Sequence, residues 1–268
     1  MTTLFLGNSF TKSSKFDVPS LIDQLAANVG IRHESLAELK ICIRGGMPLS
    51  CYLNDKGGKL AQYLESKQPP THIVLQEQSC KPWRSPTKFR EAVQGIVTKF
   101  RNDYPNVTII LYQTQCWKDL DAKHCPNYPQ QLDLLLGGYE RLAQELDIEL
   151  APVGTAVETM RTEKLQWETS AKDGKHPSHL TAYLAACLLF GVLTGTKVAE
   201  FGPGYNTLKL TLEQIYYVHE LADRTIMEHR NKKEKIGAGD SNDKLEEHKD
   251  KKRKKTQVLE KESRKKQR

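Results

Sequence analysis

The sequence predicts an α/β protein: a three-layer α/β/α sandwich with a five-stranded parallel sheet at its centre. Three observations carry that prediction. Short apolar runs alternate with amphipathic helical stretches five times. The runs are continuous, as in strands covered on both faces. Four of them also end in short polar segments, two of which contain glycine.

Taken in order, Thr3 to Leu6 is the first strand, and Asp17 to Val29 is a helix with apolar residues at Val18, Leu21, Ile22, Leu25 and Val29. Asp17 followed by Pro19 marks its start. Ser35 to Ile43 reads as a second strand and Lys56 to Ser66 as a helix. His72 to Gln76 is a third strand, introduced by Pro69-Pro70, and Thr87 to Tyr104 is a helix on the spacing of Phe89, Val93, Ile96, Val97 and Phe100. Val107 to Tyr112 is a fourth strand. The helix at Tyr128 to Leu146 is weakened in its middle by Gly137-Gly138. Ile148 to Val153 is the fifth strand, and helices follow at Thr155–Leu165, Leu180–Thr194 and Thr211–Met227.

Charge divides the chain. It has 268 residues, with 40 Lys and Arg against 33 Asp and Glu. Residues 230–268 hold 16 of the basic and 8 of the acidic residues, leaving residues 1–229 near neutral at 24 against 25. We therefore expect a globular domain over 1–229 and a disordered Lys/Arg-rich tail over 230–268, too poor in apolar residues to offset its ordering entropy. The basic run Lys251–Lys255 reads as a nuclear-import or nonspecific nucleic-acid contact, or equally as a solvated tail. No Cys-x-x-Cys pair occurs among the six cysteines, so no metal site is expected. The first strand leaves no room for a leader peptide, and no apolar run has the length of a membrane span. These features predict an intracellular protein, cytoplasmic or nuclear, with free thiols.

Right-handed crossovers put the carboxyl ends of parallel strands on one edge, where ligands of such sheets bind. The segments there are Gly7-Asn8-Ser9, Arg44-Gly45-Gly46, Gln76 to Ser79 and Gln113 to Trp117. Ser9 is a hydroxyl released from a strand end. It needs a base near neutral pKa and a group to orient that base. Asp173-Gly174-Lys175-His176-Pro177-Ser178 supplies both: a Gly turn sets the carboxylate behind the imidazole just before a helix. Each peptide also has an ordinary reading. Ser9 is a turn residue, Asp173-Gly174 a turn, and Ser178 a helix cap. Trp83, Trp117 and Trp167 fall in or near loops on the same edge; Trp117 and Trp167 are candidates for a substrate pocket, and core packing is the alternative.

In order and spacing these peptides resemble the blocks of the SGNH (GDSL-type) hydrolases. Gly7-Asn8-Ser9-Phe10-Thr11 resembles the first block, which carries the nucleophile, and Asp173-x-x-His176 resembles the last. The resemblance covers most of residues 3–194, to a little-characterised branch. It implies a flavodoxin-like layout and a serine esterase with a Ser9–His176–Asp173 triad. It implies no metal or organic cofactor, and a small-molecule, glycan or lipid ester as substrate. The oxyanion hole it implies consists of the N–H groups of Ser9 and Gly46 with a side-chain amide from the third block. That block reads Leu75-Gln76-Glu77-Gln78-Ser79 in place of Gly-x-Asn-Asp. Gln78 matches the usual Asn by position; Gln76 has the same facing but lies deeper in the strand. Two rivals stand beside the esterase: an inactive binding protein on the same fold, and a nucleic-acid-associated protein acting through its tail.

Overall fold

The computed structural model describes residues 2–53, 58, 60, 69–118, 128–203 and 208–235. The helix expected at Lys56 to Ser66 falls largely outside these residues, as do Cys125 and the Lys251–Lys255 run. The chain divides into two compact units, Met1–Ile226 and Met227–Arg268. Residues 227–235 of the second unit are helical, so six residues that composition assigned to a disordered tail, 230–235, form helix instead.

The first unit is built on five strands: β1 (Thr2–Gly7), β2 (Glu38–Ile43), β3 (His72–Gln76), β4 (Thr108–Tyr112) and β5 (Glu149–Ala151). All pair in parallel, in the order β2-β1-β3-β4-β5. Leu6 lies between Cys42 and Leu75, so β1, β2 and β3 end level with one another. The chain goes from β1 outward to β2, then crosses back to β3 on the other side. That reversal opens a crevice at the carboxyl ends of β1 and β3, the place where such sheets bind ligands.

Eight helices are described in this unit: α1 (Val18–Val29), α2 (Ser50–Leu53), α3 (Lys81–Arg84), α4 (Pro86–Asp103), α5 (Tyr128–Glu145), α6 (Val153–Glu163), α7 (His179–Thr194) and α8 (residues 212–226). Successive strand residues point to opposite faces. Phe5, Val74 and Ile110 join one core with α1, α6, α7 and α8, whereas Leu4, Leu6, Ile73, Leu75 and Leu111 join the other with α4 and α5. This is the expected α/β/α sandwich. Helix α7 is apolar on every side, with 12 of its 16 residues buried. Such a helix needs cover all round. Ile215, Val218, Leu221 and Ala222 of α8 belong to the same core as α7.

Two strands, β2 and β5, differ from expectation by more than one residue at an end. β2 begins at Glu38, not Ser35, because Ser35 is held in a 3-10 turn over Glu34–Leu36. Its carbonyl accepts from the Thr3 hydroxyl at 2.5 Å and its own hydroxyl donates to Leu193 O at 3.1 Å. β5 is three residues long: Pro152 cannot extend the ladder, and α6 starts at Val153. Among the described residues no helix is long and apolar enough to cross a membrane, and no cluster of three His, Cys, Asp or Glu side chains is placed to hold a metal. Among the described residues, Cys51, Cys80 and Cys187 are free thiols.

Candidate active site

β1 delivers Gly7, Asn8 and Ser9 to the crevice at the carboxyl ends of β1 and β3. Asn8 is 1% exposed and fixes the turn from three sides. Its N–H donates to Gln76 Oε1 at 2.8 Å, its Nδ2 to Met47 O at 3.1 Å, and its Oδ1 accepts from Phe10 N at 3.2 Å. Backbone N–H groups of Thr11 and Lys12 return to Asn8 O. The turn is tight at Gly7, where a Cβ would lie 2.8 Å from both Gln76 Oε1 and Thr11 Oγ1. With the backbone so held, Ser9 Oγ sits 2.9 Å from His176 Nε2.

The His176 loop is a closed structure of its own. Ser170 and Pro177 form an antiparallel bridge, Ala171 N donates to His176 O at 2.8 Å, and Gly174 takes φ +68° between them. A side chain is strained at that φ, which is why the turn places a Gly behind Asp173. Asp173 Oδ1 accepts from the N–H groups of Lys175 and His176, both at 3.0 Å, and Oδ2 lies 2.5 Å from His176 Nδ1. An ionised carboxylate has no proton to donate, so Nδ1 carries the proton and Nε2 presents its lone pair to the Ser9 hydroxyl. Burial disfavours the Asp173 anion. The hydrogen bonds from His176 and the two backbone N–H groups outweigh it and bring the carboxyl from 3.8 down to about 2. Ser178 caps α7 by accepting from Thr181 N at 3.2 Å, its ordinary reading.

Neighbouring elements clamp this loop. Lys118 N donates to Gly174 O at 2.8 Å, and Gln115 Nε2 reaches Lys175 O at 3.3 Å. Arg161 of α6 donates to Thr169 Oγ1, Ser170 Oγ and Cys116 O, between 2.9 and 3.1 Å. Lys118 and Arg161 were not singled out in the sequence: a lone Arg on a helix gives no local sign of where it reaches.

The glycine turn and the third-block loop close the crevice. Met47 N returns to Arg44 O at 3.2 Å with Gly46 at φ +68°, a turn position that favours glycine. Arg44 N donates to Gly7 O at 3.2 Å, and the Tyr52 hydroxyl contacts Gly7 O and Cys42 O at 2.6 and 2.9 Å. The two glutamines now separate. Gln76 is fully buried: its Oε1 accepts from Asn8 N and Thr11 Oγ1, and its Nε2 donates to Glu77 O. Its amide is spent on holding loops. Gln78 is half-buried, and its side-chain amide has no partner among the described residues.

The two tryptophans pack against different partners. Trp117 is 8% exposed; its indole N–H donates to Ser79 Oγ at 2.9 Å, its ring stands edge-on to Trp83, and Lys175 Nζ lies 4.6 Å from it. It packs beneath the His176 loop. Trp167 stands edge-on to Tyr217 with Lys164 Nζ 4.9 Å from its ring. The ring of Phe10 lies 5.5 Å from the His176 ring. An open groove of about 660 Å³ passes the loop, lined in part by Lys15, Ser170, Lys172, Pro177 and His179.

No family model and no curated protein matches this sequence. Solved structures do match its fold. A DUF4886 family protein from Bacteroides uniformis superposes with a TM-score of 0.66 at 17% identity, over 85% of this chain and 95% of that one. A Slackia heliotrinireducens protein provisionally classed as an SGNH hydrolase gives 0.58 at 24% identity, over 73% and 99%. An acetyl xylan esterase, AlAXEase, gives 0.54 at 14% identity, over 72% and 99%. With its 2-1-3-4-5 parallel sheet and these neighbours, the chain has the fold of the SGNH hydrolases.

Proposed function

We propose that the protein is a serine esterase that cleaves a carboxylic ester through an acyl-enzyme on Ser9. One observation carries the reading: the hydrogen-bonded chain from Ser9 Oγ to His176 Nε2 at 2.9 Å and from His176 Nδ1 to Asp173 Oδ2 at 2.5 Å. A neutral imidazole with its lone pair on a serine hydroxyl, backed by a carboxylate, is an activated nucleophile.

Ser9 Oγ attacks the ester carbonyl while its proton passes to His176 Nε2. Asp173 stabilises the imidazolium. The tetrahedral oxyanion is held by the N–H groups of Ser9 and Gly46 and by the Gln78 amide. Collapse breaks the bond to the alkoxide, which takes the proton from Nε2 and leaves as alcohol. Water then repeats the sequence on the acyl-Ser9 ester and releases the acid. The His176 and Asp173 side chains are 42% and 48% exposed, which suits a short acyl or acetyl group presented on a larger alcohol.

A fluorophosphonate probe tests the assignment. It should label Ser9 in the full chain, and activated acetyl and butyryl esters should be hydrolysed. Ser9→Ala should abolish labelling and lower kcat by about a million-fold with the fold intact. A folded wild-type chain that neither labels nor turns over these esters refutes the reading and favours a binding protein on the same fold.

A further inference from the structure

Glu77 is 1% exposed at the end of β3, where an apolar residue would pack without penalty. Its Oε1 accepts from Leu49 N at 3.0 Å and from Gln78 N at 2.6 Å. Leu49 lies in the loop after β2, three residues past Gly46. Gln78 lies in the loop after β3. A single carboxylate oxygen therefore joins the two loops that, with Ser9, border the crevice. Two other ties complete a triangle. Asn8 Nδ2 to Met47 O and Arg44 N to Gly7 O join the nucleophile turn to the glycine loop. Gln76 Oε1, accepting from Asn8 N and Thr11 Oγ1, joins that turn to β3. Glu77 closes the third side.

The charged and titratable groups that act on Glu77 are few. Lys81 at the start of α3 favours its anion, and Glu77 in turn disfavours ionisation of Tyr139 on α5. Neither contact replaces the two backbone N–H groups, and buried polar groups are retained where they specify geometry.

The geometry points to Glu77 as a positioning residue that sets the spacing between the Gly46 N–H and the Gln78 amide, and hence the fit of the oxyanion hole. It acts through Leu49 and Gln78 without touching substrate. This inference rests on the esterase reading above.

The test compares Glu77→Leu, Glu77→Asp and Glu77→Gln in the full chain, with an activated acetyl ester as substrate and a short alkyl boronic acid as mimic of the tetrahedral adduct. Leu has no acceptor, and Asp withdraws the acceptor by one methylene. Both should lower kcat by roughly 10- to 100-fold with KM changed less than about threefold, and boronate affinity should fall in parallel with kcat/KM. Gln presents a carbonyl oxygen to the same two N–H groups and should restore kcat to within about threefold of wild type. If Glu77→Leu does not fold, the contrast between Asp and Gln decides. Wild-type kcat in Glu77→Asp, or equal losses in Asp and Gln, overturns the role. A wild-type chain without fluorophosphonate labelling instead defeats the esterase reading, and the Glu77 role with it.

Discussion

Replacing Glu77 by Gln should flatten the stability of this protein between pH 5 and pH 8.5, for a reason independent of catalysis. Burial pushes the Glu77 carboxyl from an ordinary 4.5 up to about 7, against the pull of the Gln78 and Leu49 N–H groups and of Lys81. The folded state therefore holds a proton that the unfolded chain has released. Where the native state binds more protons, stability falls as pH rises. The contribution is fully present below about pH 4.5 and is lost as pH passes through 7. The gap between those values corresponds to about 3 kcal/mol. For a domain of this size that is roughly 6–12 °C in Tm. Other groups titrate in the window: burial lowers His72 and His219, which adds stability as pH rises. They are common to both proteins and cancel in the difference. Calorimetric Tm values for wild type and Glu77→Gln, measured from pH 5 to 8.5, should converge at low pH and diverge at high pH with the variant more stable. A difference that stays flat, or one in which wild type gains on the variant as pH rises, would refute the argument that burial holds this carboxyl protonated.

Asp173→Asn should lower kcat by about 10,000-fold while the loop stays formed, because the amide no longer fixes the Nδ1–H tautomer; steady-state kinetics with circular dichroism checks both parts. Tyr52→Phe removes the hydroxyl shared by Gly7 O and Cys42 O, and should destabilise the protein by about 1–3 kcal/mol in urea unfolding. Gly7→Ala places a Cβ 2.8 Å from Gln76 Oε1 and Thr11 Oγ1. It should both lower Tm and slow fluorophosphonate labelling of Ser9, whereas Gly138→Ala, with open space around its Cβ, should leave labelling unchanged.

What was legible in the sequence was whatever one segment encodes by itself. Residues buried on both faces of a parallel sheet must all be apolar, so Leu4 to Leu6 and Ile73 to Leu75 announced their strands, and strand–helix alternation fixed the sandwich. Asp173 and His176 lie in one loop, and a Gly with φ +68° between them was enough to place carboxylate behind imidazole. Partnerships across segments were not legible. Strand alternation gives Gln76 and Gln78 one facing; only the docking of the nucleophile turn, 65 to 68 residues away, spends the Gln76 amide on Asn8 N and Thr11 Oγ1. Trp117 reads as a pocket wall because it follows a strand, yet Ser79 and Trp83 turn it into the core.

Glu77 is the hardest residue to read for the same reason. A glutamate at a strand end is ordinarily solvent-exposed, since burying its charge is unfavourable without partners. Its partners here are two backbone N–H groups, which every residue but proline carries and which leave no trace in composition or spacing. Side-chain identity points to the proposed triad because that chemistry needs particular residue types. The frame around the proposed oxyanion hole joins side chains to main-chain groups, so it becomes visible only when β1, β2 and β3 stand side by side and their three loops meet.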